Sequence, residues 1–275
     1  MEKEYLNMAE HLSLKRDDVL LVTGDILRLA VQEKMRNEYF DMAGFIGSFK
    51  AQLPDGALLF HAFNDRLVSG DTFDYRRTRP TTGALSVAAW KDPEFVRTHD
   101  PFHSFMVWGR DAGALQWMNY ASTFGTDSVF GWLHRNRAKM LFIDVSLVRS
   151  FTFVHYCEES VTVPYRKHRR HRIRMIDEAG RATVAEKLFY TRKCGYYNSL
   201  DRLEEALTAE GILTVHLCDG VPFKLMDLAG AYDFIARDIR MNRAALLHGF
   251  SYRQFVTDVL RRIYRTLRPK NQTRG

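Results

Sequence analysis

Cysteine is scarce in this 275-residue chain, and Cys157, Cys194 and Cys218 lie far apart with no CxxC pair. That spacing excludes a disulfide framework and argues against a thiolate-held zinc. No apolar run approaches the ~20 residues a membrane-spanning helix needs. The opening Met1-Glu2-Lys3-Glu4-Tyr5 is charged, with no apolar stretch behind it, so a cytoplasmic location is the expectation. Repeats, low-complexity tracts and linkers are also lacking. One domain is therefore expected over 1–275, with a basic C-terminal helix and tail at 250–275. No recognised nucleic-acid motif occurs, and the aromatics are not interleaved with basic residues as a base-stacking platform requires.

What is present is apolar content sufficient for a full core, 46% of residues, and a net charge of +7. Much of the excess is local. Residues 166–174 read Arg-Lys-His-Arg-Arg-His-Arg-Ile-Arg, and 261–274 form a second basic block. Such blocks either coat a solvated face or attract anions: nucleic acid, acidic lipid, or a phosphorylated cofactor.

Periodicity predicts a short helix in 1–16, a buried strand at 19–22 and a helix over 26–33. A helix ends near Gln52, and a strand covers 57–63 after the Asp55-Gly56 turn. Residues 72–85 are loop chemistry leading into a helix, and Met140-Leu141-Phe142-Ile143-Asp144-Val145 reads as a strand. A hairpin turns at Asp177-Glu178-Ala179-Gly180. Helices are expected at 200–210, 226–241 and 250–267, and a strand at 212–217. The alternation predicts an α/β protein, a layered α/β/α sandwich whose central sheet is mixed but largely parallel.

The candidate chemistry centres on His155. It follows a Gly-framed polar loop at 124–131 and an apolar strand, and Glu158 stands three residues on. This is the layout of a catalytic base beside a sheet edge, although a histidine among aromatics also serves as a hydrogen-bonded core residue. On an extended strand Cys157 would share His155's side, which leaves a Cys/His nucleophile conceivable. His99 and His103 are four apart, but Pro101 between them breaks the helix that metal ligation would use, and no metal is expected. The Thr23-Gly24-Asp25 corner is either an anion-recognition site at a helix start or a plain N-cap.

In combination these segments resemble the aminoglycoside 3-N-acetyltransferase family. The family carries F-G-x-D-S-x-F-G-x-L, T-x-x-H-x-x-E and Y-R, and here they are Phe124 to Leu133, Thr152 to Glu158, and Tyr165-Arg166, in that order. The resemblance runs from about Lys15 to Asn242. It implies an acetyl-coenzyme A-dependent N-acetyltransferase acting on an amino-sugar amine. Thr23, Gly24 and Asp25 partly match the family's coenzyme corner, while Thr81, Thr82 and Gly83 match a P-S-x-G-x-L segment lining the donor site. Arg97, Pro101 and Ser104 agree with an R-S-x-H-P-x-x-S segment, in which Asp100 replaces a frequent histidine. Ser104 is thereby expected at the cofactor, and Asp127, Tyr165 and Arg166 at the substrate.

An amine is mostly protonated at pH 7, so the reaction needs a base. The resemblance makes His155 that base, with Glu158 or Asp100 orienting it. Direct transfer in a ternary complex fits the lack of a serine nucleophile elbow. The expected partners are coenzyme A and a small amine, not nucleic acid. Because the chain is basic and aminoglycosides are polycations, a nucleotide-linked amino sugar is the preferred acceptor over an antibiotic. A non-enzymatic binder of anionic surfaces is the reading from another class, and a steep salt dependence would mark it.

Overall fold

A seven-stranded mixed sheet organises the computed structural model, which describes residues 3–64 and 66–267. The ends of the first expected helix and of the basic tail, residues 1–2 and 268–275, lie outside the described residues.

Helix α1 (Glu4–His11) leads to β1 (Val19–Gly24), whose first four residues are all buried. A strand covered on both faces reads as a continuous apolar run, which is what Val19-Leu20-Leu21-Val22 is. Helices α2 (Leu27–Met35) and α3 (Met42–Gln52) follow, and β2 (Ala57–His61) returns parallel to β1. The chain then passes through β3 (Thr72–Asp74), α4 (Ala84–Lys91), β4 (Val96–Arg97) and β5 (Phe105–Gly109). Strand β5 lies antiparallel to β2, and β4 pairs with its outer side. Helices α5 (Ala112–Gln116) and α6 (Val129–Arg135) precede β6 (Lys139–Ile143), which runs parallel to β1 on its other flank.

After α7 (Leu147–Ser150) and α8 (Val154–Ser160), the long hairpin of β7 (Arg166–Ile176) and β8 (Ala182–Arg192) projects from the sheet, with β3 paired to β7. The chain closes with β9 (Tyr196–Asn198), α9 (Asp201–Ala209), β10 (Leu213–Cys218), β11 (Val221–Asp227), α10 (Leu228–Asn242), β12 (His248–Phe250) and α11 (Tyr252–Leu267). The strand order is β10-β11-β6-β1-β2-β5-β4, parallel in its central trio and antiparallel outward.

Successive strand residues feed opposite cores. Val19, Leu21, Leu59 and Phe142 join one cluster with α6, α8 and α10, and Leu20, Val22, Phe60 and Leu141 join another with α1, α3 and α4. This is the expected α/β/α layering. No helix among the described residues is long and apolar enough to cross a membrane.

Three segments depart in kind from the sequence reading, the first being 72–74, read as loop but forming β3 against β7. Residues 154–160 are helical, because the buried positions Val154, Tyr156, Cys157 and Glu158 follow helical rather than alternating spacing. Residues 221–227 form a strand, so the helix expected from 226 begins at Leu228.

The Phe124-to-Leu133 segment supplies a clear glycine requirement. A Cβ on Gly131 would lie 2.1 Å from the Thr126 carbonyl oxygen, at the start of α6 where Ser128 Oγ accepts from the Gly131 amide. Gly131→Ala is therefore expected to lower stability by about 1–3 kcal/mol, read as a lower urea midpoint with unchanged slope.

Candidate active site

Crossovers from β1 run to β2 on one side, and β6 flanks it on the other, so the carboxyl ends of these strands open on a crevice. Open α/β sheets bind ligands at such a point. A cavity of about 570 Å³ lies there. Thr23, Gly24 and Asp25 of the β1 end, His61 and Phe63 of the β2 end, and Val145 after β6 line one side. Arg149, Thr152 and His155 from the α7–α8 region, with Arg166, Phe189, Arg192 and Asn198 from the hairpin and β9, line the other.

The helical form of 154–160 explains the geometry at His155. Residues three apart on a helix are neighbours, and His155 Nδ1 lies 2.8 Å from Glu158 Oε2. The same oxygen is 2.6 Å from Arg166 Nε in an ion pair whose two side chains are both nearly inaccessible. Arg166 also donates to the Tyr190 carbonyl and Asn198 Oδ1, which fixes the guanidinium against the carboxylate. Burial alone would raise the Glu158 carboxyl, but His155 and Arg166 hold it below the ordinary range. With Glu158 ionised, the bonded Nδ1 carries the imidazole proton and Nε2 is left as the basic nitrogen. Burial pushes the His155 pKa down, the Arg166 charge adds to this, and Glu158 opposes it.

Asp100 is not the carboxylate at His155. It is buried and accepts from the Phe102 and His103 amides and from Thr123 Oγ1, so it closes the turn before β5. Ser104 is also structural: it is wholly buried, donates to the Ala62 carbonyl and accepts from Arg97 Nε. Tyr165 is buried with its ring 3.8 Å from that of His248, and it does not line the cavity. Asp127 is exposed on the loop before α6, likewise outside the cavity lining. Cys157 lies two residues from His155 on the helix, hence on the far side. It is fully buried, and burial pushes its thiol well above the usual value, so it does not accompany the base. His99 bonds Glu178, whereas His103 stacks on Phe189 at the cavity wall, so the two do not converge on a metal.

Thr82 lines the cavity, while Thr81 and Gly83 line a neighbouring, more open cleft with Arg79 and Lys91. Both threonine hydroxyls donate to the end of β2, to the Phe63 and His61 carbonyls. They therefore pin the loop instead of capping α4. Gly83, at φ 103°, begins α4 without a side-chain cap, so the first N–H groups of that helix stay available beside Gly24. Asp25 Oδ1 accepts from the Leu27 amide, one residue before the N-cap position of α2.

Sequence reasoning missed His61, Arg149 and Arg192, and weighed His103 only as a metal ligand, not as part of the cavity wall. His61 carried a signal, a histidine inside an otherwise apolar buried strand. Its Nε2 is buried without a hydrogen-bond partner, its ring stacks on Phe63 at 4.3 Å, and burial pushes its pKa down to about 3.

Comparison with known proteins agrees with this architecture. Among solved structures, the chain is similar to AAC(3)-IIb, an aminoglycoside acetyltransferase, at TM-score 0.72 and 16% identity over 88% of this chain and 97% of that one. It is similar to AAC-IIIb in binary complex with CoASH at 0.70 and 17%, over 86% and 95%. YokD from Bacillus subtilis matches at 0.70 and 17%, over 88% and 94%. No curated protein matches the chain. The sequence model of the aminoglycoside 3-N-acetyltransferase family matches residues 60–239, spanning β2 through most of α10, and the chain thus belongs to that family of acetyl-coenzyme A-dependent N-acetyltransferases.

Proposed function

We propose that the enzyme acetylates an amine on an amino sugar that carries negative charge, most suitably one linked to a nucleotide diphosphate, with His155 as general base. The observation that carries the reading is the Arg166–Glu158–His155 chain of contacts ending at the cavity wall. His155 Nε2 takes a proton from the acceptor amine as its nitrogen attacks the thioester carbon. The carbonyl oxygen gains charge, which the uncapped N–H groups at the start of α4, next to Thr82 of the cavity wall, would stabilise. The carbon–sulfur bond then breaks, and the imidazolium returns the proton to the departing coenzyme A thiolate. Acceptor and donor are both held, so no covalent enzyme intermediate forms.

The acceptor class follows from charge. Arg149 and Arg192 line the cavity beside Arg166, whose charge Glu158 already balances, and among the described lining residues Asp25 is the one carboxylate. A polycationic antibiotic would meet repulsion there, whereas a diphosphate would meet cations. The cleft beyond Gly83, with Arg79 and Lys91, suits the phosphates of the donor. Arg192→Ala is accordingly expected to raise KM for the acceptor and Arg79→Ala KM for acetyl-coenzyme A. Initial rates of thiol release with dTDP- or GDP-linked amino sugars against kanamycin-type amines test the reading. Preference for the antibiotic amine would replace the acceptor named here, leaving His155 to be judged by its own variant.

The pH dependence has a definite sign. Since the imidazolium is disfavoured, the neutral base survives below its usual titration point, and the acid limb of kcat is expected below about pH 6.5. Glu158→Gln removes the group that opposes the shift and should move that limb lower still. A limb above neutrality would contradict the assignment.

A further inference from the structure

We propose that α11, together with the β9–β12 pair beside it, is a surface that docks this enzyme on an anionic lipid bilayer. The helix spans 16 residues and segregates its side chains strongly: Tyr252, Val256, Val259, Leu260 and Ile263 follow i, i+4, i+7, i+8, i+11 and share one face. In α10 the comparable stripe, with Leu228, Ala231 and Ile235, is buried in the core. In α11 it is not. Tyr252 is 81% exposed, Val256 55%, Leu260 60% and Ile263 50%.

The helix is held to the body by its flank. Asp258 accepts from the Gly195 amide, and Phe255 packs over Gly195 and near Phe250. Its apolar face therefore points away from the protein, and it is continuous with exposed rings on the neighbouring strands. Phe250 lies 5.2 Å from Tyr252, and Tyr197 is exposed on β9.

Charge selects the occupant. From 252 to 275 the sequence carries Arg253, Arg261, Arg262, Arg265, Arg268, Lys270 and Arg274 against the single acid Asp258. Arg253 and Arg261 are exposed. An uncovered apolar face on a helix whose charges are almost all positive is the pattern of an interfacial helix on anionic lipid, with aromatic rings suited to the headgroup level. A second copy of the chain would bring the same positive segment against itself, which charge repulsion disfavours. Asn198 on β9 lines the catalytic cavity, so the docked enzyme keeps that cavity close to the bilayer.

The test is co-sedimentation of the full chain with vesicles of phosphatidylcholine alone and of phosphatidylcholine with phosphatidylglycerol. The expected result is capture by the anionic vesicles, released as salt rises, and little capture by the neutral ones. The Leu260→Asp/Ile263→Asp double variant should lose about tenfold or more in partitioning while keeping its circular dichroism and its rate of acetyl transfer. The Arg253→Glu/Arg261→Glu variant should lose the preference for anionic vesicles. Equal capture by both vesicles, or by neither, overturns the proposal. So does a wild-type dimer in sedimentation velocity that the Leu260→Asp/Ile263→Asp variant converts to a monomer, because a second copy then covers the face.

Discussion

His155→Ala is expected to lower kcat by about 10²–10⁴-fold while leaving KM for acetyl-coenzyme A nearly unchanged. The size follows from removing the proton acceptor from a reaction whose attacking amine must shed a proton as its nitrogen bonds the thioester carbon. The variant is also a clean one. Its loss leaves Glu158 paired with Arg166 at 2.6 Å, so no buried charge is orphaned. Glu158→Ala is a different experiment, because it strands Arg166 in a buried setting and costs about 3–5 kcal/mol of stability besides any effect on rate. Measuring thiol release for His155→Ala, with thermal unfolding as the control for fold, decides the matter. A rate within a few-fold of wild type would remove His155 as base.

Arg97→Ala should unfold the protein more readily by about 3–5 kcal/mol, a drop in Tm on the order of 10 °C. Arg97 is only 2% exposed, yet the contacts described for it include no carboxylate. Its guanidinium instead donates to Ser104 Oγ, the Thr78 and Ala62 carbonyls and Asn64 Oδ1, and lies 4.7 Å over the Phe73 ring. Burial pushes its pKa down to about 10, so it stays charged at neutral pH. Truncation leaves several buried acceptors unpaired and opens a void, and both losses add. These contacts, with the Asn64 side-chain amide donating to the Arg79 carbonyl, tie 62–64 to 78–79, beside the cavity-lining His61, Phe63 and Thr82. A rise in KM is expected to accompany the lost stability. Calorimetry and urea titration give the number, and a loss under about 1 kcal/mol would show that the network is redundant.

The legible parts of the sequence were those where one physical demand dominates. The run Val19-Leu20-Leu21-Val22 reads as a short buried strand, and the structure covers it on both faces. The Thr23-Gly24-Asp25 corner and His155 were found as candidate residues, and the structure brings them to one cavity with Thr82 and Arg166. The element carrying His155 was misread, because Thr152 to Cys157 is rich in β-branched and aromatic residues and tertiary packing overrides that propensity. The same error put Cys157 on the wrong side. Strand β11 was missed although Asp219-Gly220 is a strong hairpin signal, since Pro222 speaks against a strand interior and is tolerated here near its start. Asp100 and Ser104 were placed at the site by resemblance alone. Their buried hydrogen bonds to backbone and to Arg97 depend on long-range packing that no local pattern records.

The parallel pairing of β1 with β6 also dictates when the protein can become stable during synthesis. Leu20 faces Lys139, 119 residues downstream, and the antiparallel cover from β11 comes later still. At about 5–20 residues per second, β1 leaves the ribosome on the order of 6–24 s before its partner exists. Through that interval the apolar run at 19–22 can pair only with β2, and a flat, two-sided strand with one free edge is a template for association with other nascent chains. Chaperone demand for this chain should therefore peak before β6 emerges and fall once the central trio closes.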